Sequence, residues 1–108
     1  MDVHRTLGHG FLEVVYKDAI ELEAVKKGIT VSRECEFEIV YKDKVLRHKY
    51  RADFVLFEKI ILEVKATVEG FAEEQIAQTI NYLKVSGCKV ALLVNFGKPS
   101  LEYKRLVF

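Results

Sequence analysis

Two acids and a lysine stand where the surrounding chain is otherwise apolar. Glu63 and Lys65 interrupt the run Ile-Ile-Leu-Glu-Val-Lys-Ala at residues 60–66. At the two-residue period of a strand, Ile60, Leu62, Val64 and Ala66 share one face, and Glu63 and Lys65 share the other. A carboxylate and an ammonium placed inside a sheet are costly unless each finds partners. Taken alone, the pair reads equally well as a structural ion pair and as part of an active site. Asp53 shifts that balance, because it interrupts a second apolar segment shortly upstream. A turn at Glu58-Lys59 lays the two strands antiparallel and brings Asp53 within several ångströms of Glu63. Two carboxylates that close repel, and a hard divalent cation relieves the repulsion by taking both as oxygen ligands. Mg²⁺ characteristically uses one or two carboxylates, keeps waters and accepts substrate phosphate, while a neighbouring lysine holds or helps deprotonate the attacking water. The set Asp53, Glu63, Lys65 therefore suits metal-assisted hydrolysis of a phosphodiester.

The elements that must position these residues follow from periodicity. Gly8-His9-Gly10 is a break, and residues 11–27 read as a helix ended by Gly28. Its expected core stripe is Phe11, Val14, Val15, Leu22 and Val25, with a second row of Glu13, Tyr16 and Ile20 on another face, so that the helix is packed on both. Leu7 and the residues before it read as the end of an earlier helix. From residue 31 to 41 the period becomes two: Val31, Cys35, Phe37, Ile39 and Tyr41 alternate with Ser32, Glu34, Glu36 and Glu38, leaving Arg33 as the exception on the apolar face. Lys42-Asp43-Lys44 is a turn, and residues 45–57 form a strand with Leu46, Tyr50, Ala52, Phe54 and Leu56 on one face and Asp53 on the other. With the central strand these make an antiparallel meander. Residues 71–86 are a helix with Ala72, Ile76, Ile80 and Leu83 as its core stripe and Gln75, Gln78 and Tyr82 as a separate polar row. Residues 88–95 are an apolar strand reached by a crossover, hence parallel to a neighbour. Asn95 to Pro99 is a turn, and residues 102–108 form a short edge strand.

Composition limits the classes available. At 108 residues, half of them hydrophobic and 31% charged, the chain is globular and reads as a single domain over residues 1–108. No apolar run approaches the roughly 18–20 residues that span a membrane, and the first residues lack the apolar stretch of a signal peptide. Cys35 and Cys88 match no metal-ligand spacing and read as reduced, buried thiols of a cytoplasmic protein. His4, His9 and His48 are scattered and match no ligand spacing. Net charge is +1. The run Lys42, Lys44, Arg47, His48, Lys49 and Arg51 fits a phosphate-tracking surface and the solvated face of a hairpin equally well.

Asp53 followed by Glu63-Val64-Lys65, in an αβββαβ order, resembles the PD-(D/E)XK nuclease superfamily. More narrowly, Gly10, Glu13 and Tyr16 form the pattern G-x-x-E-x-x-Y and resemble the GxxExxY family within it. Gln78 and Tyr82 reproduce a Q-x-x-x-Y pattern of an exonuclease branch, and the likeness extends to Asn95-Phe96-Gly97. The Pro that often precedes the Asp is Ala52 here, and members usually carry more helix ahead of residues 3–7. The resemblance implies an α/β (α+β), restriction-endonuclease-like core: a mixed central sheet flanked by helices. It implies a Mg²⁺ or Mn²⁺ ion on Asp53, Glu63 and the Val64 carbonyl, with Glu13 binding through water or holding a second ion. It gives Lys65 the attacking water and the growing phosphate charge, places Gln78 and Tyr82 in the same pocket, and packs Tyr16 beside Glu13. The expected partner is nucleic acid, DNA ahead of RNA, with little sequence selectivity because no base-reading motif is present. The alternative is a catalytically inactive module of the same fold that binds nucleic acid or a protein partner, alone or as a homodimer.

Overall fold

A computed structural model describes residues 2–108. The chain forms α1 (Asp2–Leu7), α2 (Glu13–Lys26), β1 (Val31–Tyr41), β2 (Lys44–Leu56), β3 (Ile60–Lys65), α3 (Glu73–Ser86), β4 (Val90–Asn95) and β5 (Glu102–Val107). The sheet runs in the order β1-β2-β3-β4-β5. Every neighbouring pair is antiparallel except β3 and β4, which the α3 crossover makes parallel. This is the mixed, helix-flanked α+β sheet of the expected class.

The strand at the middle of the sheet is covered on both sides. Ile61 packs with Leu83, Ala91 and Leu93 beneath α3, whereas Leu62 and Val64 pack with Tyr16, Ile20, Val94 and Phe96 beneath α2. A continuous apolar run is what such a doubly covered strand needs. Ile76 and Ile80 of α3 flank the first cluster as expected, while Ala72 lies exposed ahead of the helix.

The orientation of α2 differs from the expected one. Leu22 and Val25 are 73% and 68% exposed, Phe11 and Val14 are also exposed, and Tyr16, Ile20 and Ala24 are buried instead. The residues on the buried row explain the choice. Tyr16 stacks on Phe96 at 4.5 Å between centroids and sends its hydroxyl out to the Gly8 carbonyl at 2.7 Å, so its polar end is satisfied while its ring is buried. Ala24 and Ile20 then let the helix approach the sheet closely. Turning this row inward also turns Glu13 and Lys17 toward the sheet.

The β1–β2 hairpin turns over partway along its length, which simple alternation does not anticipate. Val31, Phe54 and Leu56 pack on the α2 side, yet Cys35, Phe37, Ile39, Tyr50 and Ala52, of the same parity, pack on the α3 side. The changeover falls at Glu34, which adopts a left-handed φ of 55°, and at Asp53 opposite it; paired residues resume at Arg33↔Phe54 and Cys35↔Ala52 on either side. Tyr50 and Ala52 therefore do not share a face with Phe54 and Leu56, contrary to a strict two-residue period. Pairing of β2 with β3 covers only Phe54↔Leu62, Val55↔Ile61 and Leu56↔Ile60, so the two strands part at Asp53.

The exit from β3 is clamped by buried Asn95. Its Oδ1 accepts the Thr67 N–H at 3.0 Å and its Nδ2 donates to the Thr67 carbonyl at 2.8 Å, a side-chain imitation of strand pairing. Gly97 lies against the same peptide: a Cβ there would collide with the backbone N, C and O of Thr67. Gly97→Ala is expected to lower unfolding free energy by roughly 2–4 kcal/mol, read as a fall in the urea midpoint at unchanged slope; an unchanged midpoint would refute the clamp.

Candidate active site

Asp53 occupies the fork where β2 leaves β3. Its Oδ2 accepts the Val64 backbone N–H at 2.8 Å, taking the place of the strand that has turned away. Within a strand the N–H and C=O of one residue face the same neighbour, so the Val64 carbonyl opens into the same fork. Asp53 Oδ1 is held at 2.8 Å by the Lys17 ammonium of α2. The same ammonium lies 3.7 Å from Glu13 and 3.5 Å from Glu34. Burial works against the charge on Lys17, but its hydrogen bond to Asp53 and the three carboxylates outweigh burial and raise its pKa.

Glu63 comes from β3 and meets Asp53 directly. Its Oε1 accepts the Tyr50 hydroxyl at 2.6 Å and the Asp53 backbone N–H at 3.4 Å. Burial first, and then the charge of Asp53, push the Glu63 carboxyl up to about 7, although the bond from Tyr50 and the charge of Lys65 pull it down. The Tyr50 hydroxyl is itself pushed well above its ordinary value, chiefly by burial and then by Glu63, so it remains a donor at any ordinary pH. Tyr50 has two aromatic partners, stacked on Tyr82 of α3 at 3.6 Å and on Phe37 at 5.9 Å.

These groups open onto a cleft of about 690 Å³ lined by Asp53, Glu63, Lys65, Gln78 and Tyr82, together with Glu36, Arg47, His48, Lys49, Tyr50 and Arg51 of the hairpin. Five of the six side chains singled out from the sequence thus converge on one cleft. The sixth, Glu13, is not in its wall and reaches Asp53 only through Lys17. Lys65 makes no ion pair with Glu63 within 4 Å; among the described residues, the bridging ammonium is Lys17. Gln75 has a different task from Gln78: its Oε1 accepts the Ala72 N–H at 3.1 Å at the start of α3.

Two contributors were missed by sequence reasoning. Tyr50 was expected only to pack, because alternation put it on the face away from Asp53, and the hairpin turnover has no sequence marker. Lys17 had a readable signal, since Glu13 and Lys17 are one helical turn apart, but its reach to Asp53 depends on how α2 faces the sheet. The basic run is split. Arg47, His48, Lys49 and Arg51 line the cleft, Lys42 and Lys44 do not, and the acids of β1 lie across from the bases, with Glu36 opposite Arg51 at 3.3 Å and Glu38 opposite Lys49. Arg33 is a paired charge, bonded to Asp18 at 2.7 Å and Glu21 at 3.0 Å. Cys35 and Cys88 are free thiols, Cys88 buried and Cys35 only half-buried.

A mixed sheet with two acids and a lysine at the parting of its strands defines a nuclease-like core. The family model of the PD-(D/E)XK nuclease superfamily matches residues 1–106, so the chain belongs to that superfamily. Nucleases of this superfamily generally use divalent metal ions, and the class acts on nucleic acid. No curated protein matches the chain. Among solved structures, the crystal structure of SSO0001 is similar at a TM-score of 0.66 and 19% identity over 86% of this chain, a likeness of fold. The chain spans about half of that protein, covering 48% of it.

A carboxyl whose pKa is raised in the folded state favours folding in its protonated form. The folded protein then binds more protons than the unfolded chain, so stability falls as pH rises. The contribution of Glu63 is fully present below about 4.5 and is lost as pH climbs through about 7. In chelator-treated protein, stability is expected to drop by on the order of 2 kcal/mol across that window, and Glu63→Gln is expected to flatten the profile. Tyr50→Phe, which removes a bond favouring the carboxylate, moves the inflection upward. Denaturant titrations at a series of pH values check both; a wild-type profile parallel to that of Glu63→Gln would refute the assignment.

Proposed function

We propose that this protein is a divalent-metal-dependent nuclease of the GxxExxY type that hydrolyses phosphodiester bonds in DNA, and RNA less readily, with little sequence selectivity. The observation that carries the reading is the fork at Asp53. Two carboxylates and a backbone carbonyl edge are gathered beside Lys65 at the mouth of a polar cleft, and the ionised form of Glu63 is disfavoured by burial and then by its neighbour.

The donor set fits a small hard cation. Among the described residues no three His, Cys, Asp or Glu side chains converge as a metal cluster. Two carboxylates with a carbonyl and waters nonetheless match the sparse protein ligation that Mg²⁺ tolerates. Asp53, Glu63 and the Val64 carbonyl would hold the ion, which supplies Lewis-acid polarisation of the phosphate. The protein's own groups do the remainder. Tyr50 and the Asp53 N–H fix Oε1 of Glu63, so its orientation is set before any substrate arrives. Lys65, which forms no ion pair among the described residues, donates to the attacking water and places positive charge near the phosphate oxygens. Gln78 and Tyr82 of α3 line the same cleft. As a single-domain cytoplasmic protein, the chain would keep both thiols reduced.

The second reading, an inactive module that binds nucleic acid or a protein partner, draws on Lys17, which already neutralises Asp53. One experiment separates the two. Wild type, Asp53→Ala and Lys65→Ala are incubated with single- and double-stranded DNA and RNA in Mn²⁺ or Mg²⁺. Cleavage is expected from the wild type and should fall about 100-fold or more in each variant. No cleavage under any condition, or equal rates in all three proteins, would sink the nuclease reading.

A further inference from the structure

We propose that the Lys17 ammonium is a built-in cation standing in the place of a second metal ion, so that this site takes one divalent ion and not two. The inference rests on the metal-dependent reading above.

Three observations carry it. Lys17 Nζ touches Asp53 Oδ1 at 2.8 Å and has Glu34 and Glu13 at 3.5 and 3.7 Å, so one ammonium is shared by three carboxylates from α2, β1 and β2. Its side chain is only 14% exposed, while those of Glu13 and Glu34 are 41% and 43% exposed. The cation is thus the enclosed member of the group, and the two flanking acids screen it from solvent. Thirdly, Asp53 lines the cleft and Lys17 does not, which puts the ammonium behind the carboxylate as seen from the cleft.

The two oxygens of Asp53 are consequently committed differently. Oδ1 is directed to α2 by Lys17, and Oδ2 to β3 by the Val64 N–H. An ion shared with Glu63 belongs on the β3 side, where Oε2 of Glu63 accepts no hydrogen bond from any described residue. A second ion on the α2 side would have to displace Lys17 or sit against its charge, and two such charges a few ångströms apart repel strongly at the low effective dielectric of a half-buried site. Glu13 accordingly serves as a partner of Lys17 and not as the holder of a second ion. Its place one helical turn before Lys17 keeps the ammonium aimed at Asp53.

The test is the Mn²⁺ stoichiometry of the intact chain, measured by calorimetry and by the loss of free-Mn²⁺ paramagnetic resonance signal, for wild type, Lys17→Met and Lys17→Arg. One ion per chain is expected for wild type and for Lys17→Arg, and two for Lys17→Met, with the second lost again when Glu13→Gln and Glu34→Gln are added. Two ions in wild type, or one ion at unchanged affinity in Lys17→Met, would overturn the inference and leave the nuclease reading standing. No ion in wild type would overturn the metal-dependent reading itself, and the inference with it. Should Lys17→Met fail to fold, the wild-type count still decides, as does thermal stabilisation by Mn²⁺: dependence on the first power of its concentration supports one site and dependence on the square refutes it.

Discussion

The Asp53 carboxylate, bonded at once to the Val64 N–H and to the Lys17 ammonium, is the interaction on which the site depends. A charged group 9% exposed in the middle of a sheet would cost several kcal/mol without partners. Here each partner also does geometric work. The bond to Val64 lets β2 leave β3 without stranding a backbone donor, and so creates the fork. The bond to Lys17 ties the fork to α2, whose inward face is the one that Tyr16 sets. Sheet topology, helix orientation and the acidic centre are therefore one problem with one solution.

Glu63 is held by a different logic. Its bonds come from a phenol and from the backbone of the very residue whose charge repels it. Neither supplies a full positive charge, and Lys65 is not close enough to form an ion pair. The result is a carboxyl pushed up toward neutrality, beside one that an ammonium holds at 2.8 Å. Tyr50 also links the hairpin to α3 through its stack on Tyr82, so that the donor to Glu63 is located by aromatic packing against Tyr82 and Phe37.

Much of this was legible from residue order. The interrupted apolar run at Glu63 and Lys65, the two-residue period of β1, and the turns at residues 42–44 and 58–59 give the meander, and the helix before β4 gives the parallel pair. Strand alternation, a local rule, set Asp53, Glu63 and Lys65 apart, the family resemblance added Gln78 and Tyr82, and all five line the cleft. What was not legible depends on tertiary choices. Either of two faces of α2 could have gone inward on apolar content, and the decision fell to the stack of Tyr16 on Phe96 and the partner for its hydroxyl. The turnover at Glu34 arises from a left-handed residue that carries no glycine to mark it. Lys17 and Tyr50 were missed for those two reasons respectively.

The charge pattern of the hairpin bears on what the cleft can do. Arg47, His48, Lys49 and Arg51 line the cleft, but Glu36 and Glu38 stand across the ladder from Arg51 and Lys49. Exposed cross-strand pairs contribute little stability, yet they cancel much of the field that a bare row of Lys and Arg would project. A chain of net charge +1 with such a surface draws few counterions off a phosphate backbone. On the nuclease reading, then, attraction for the phosphate must be concentrated where charge is not already paired. That place is the mouth of the fork, where, among the described residues, Lys65 forms no ion pair and the second oxygen of Glu63 accepts no hydrogen bond. Binding and chemistry would depend on the same few groups, so weakening either carboxylate should cost affinity and rate together.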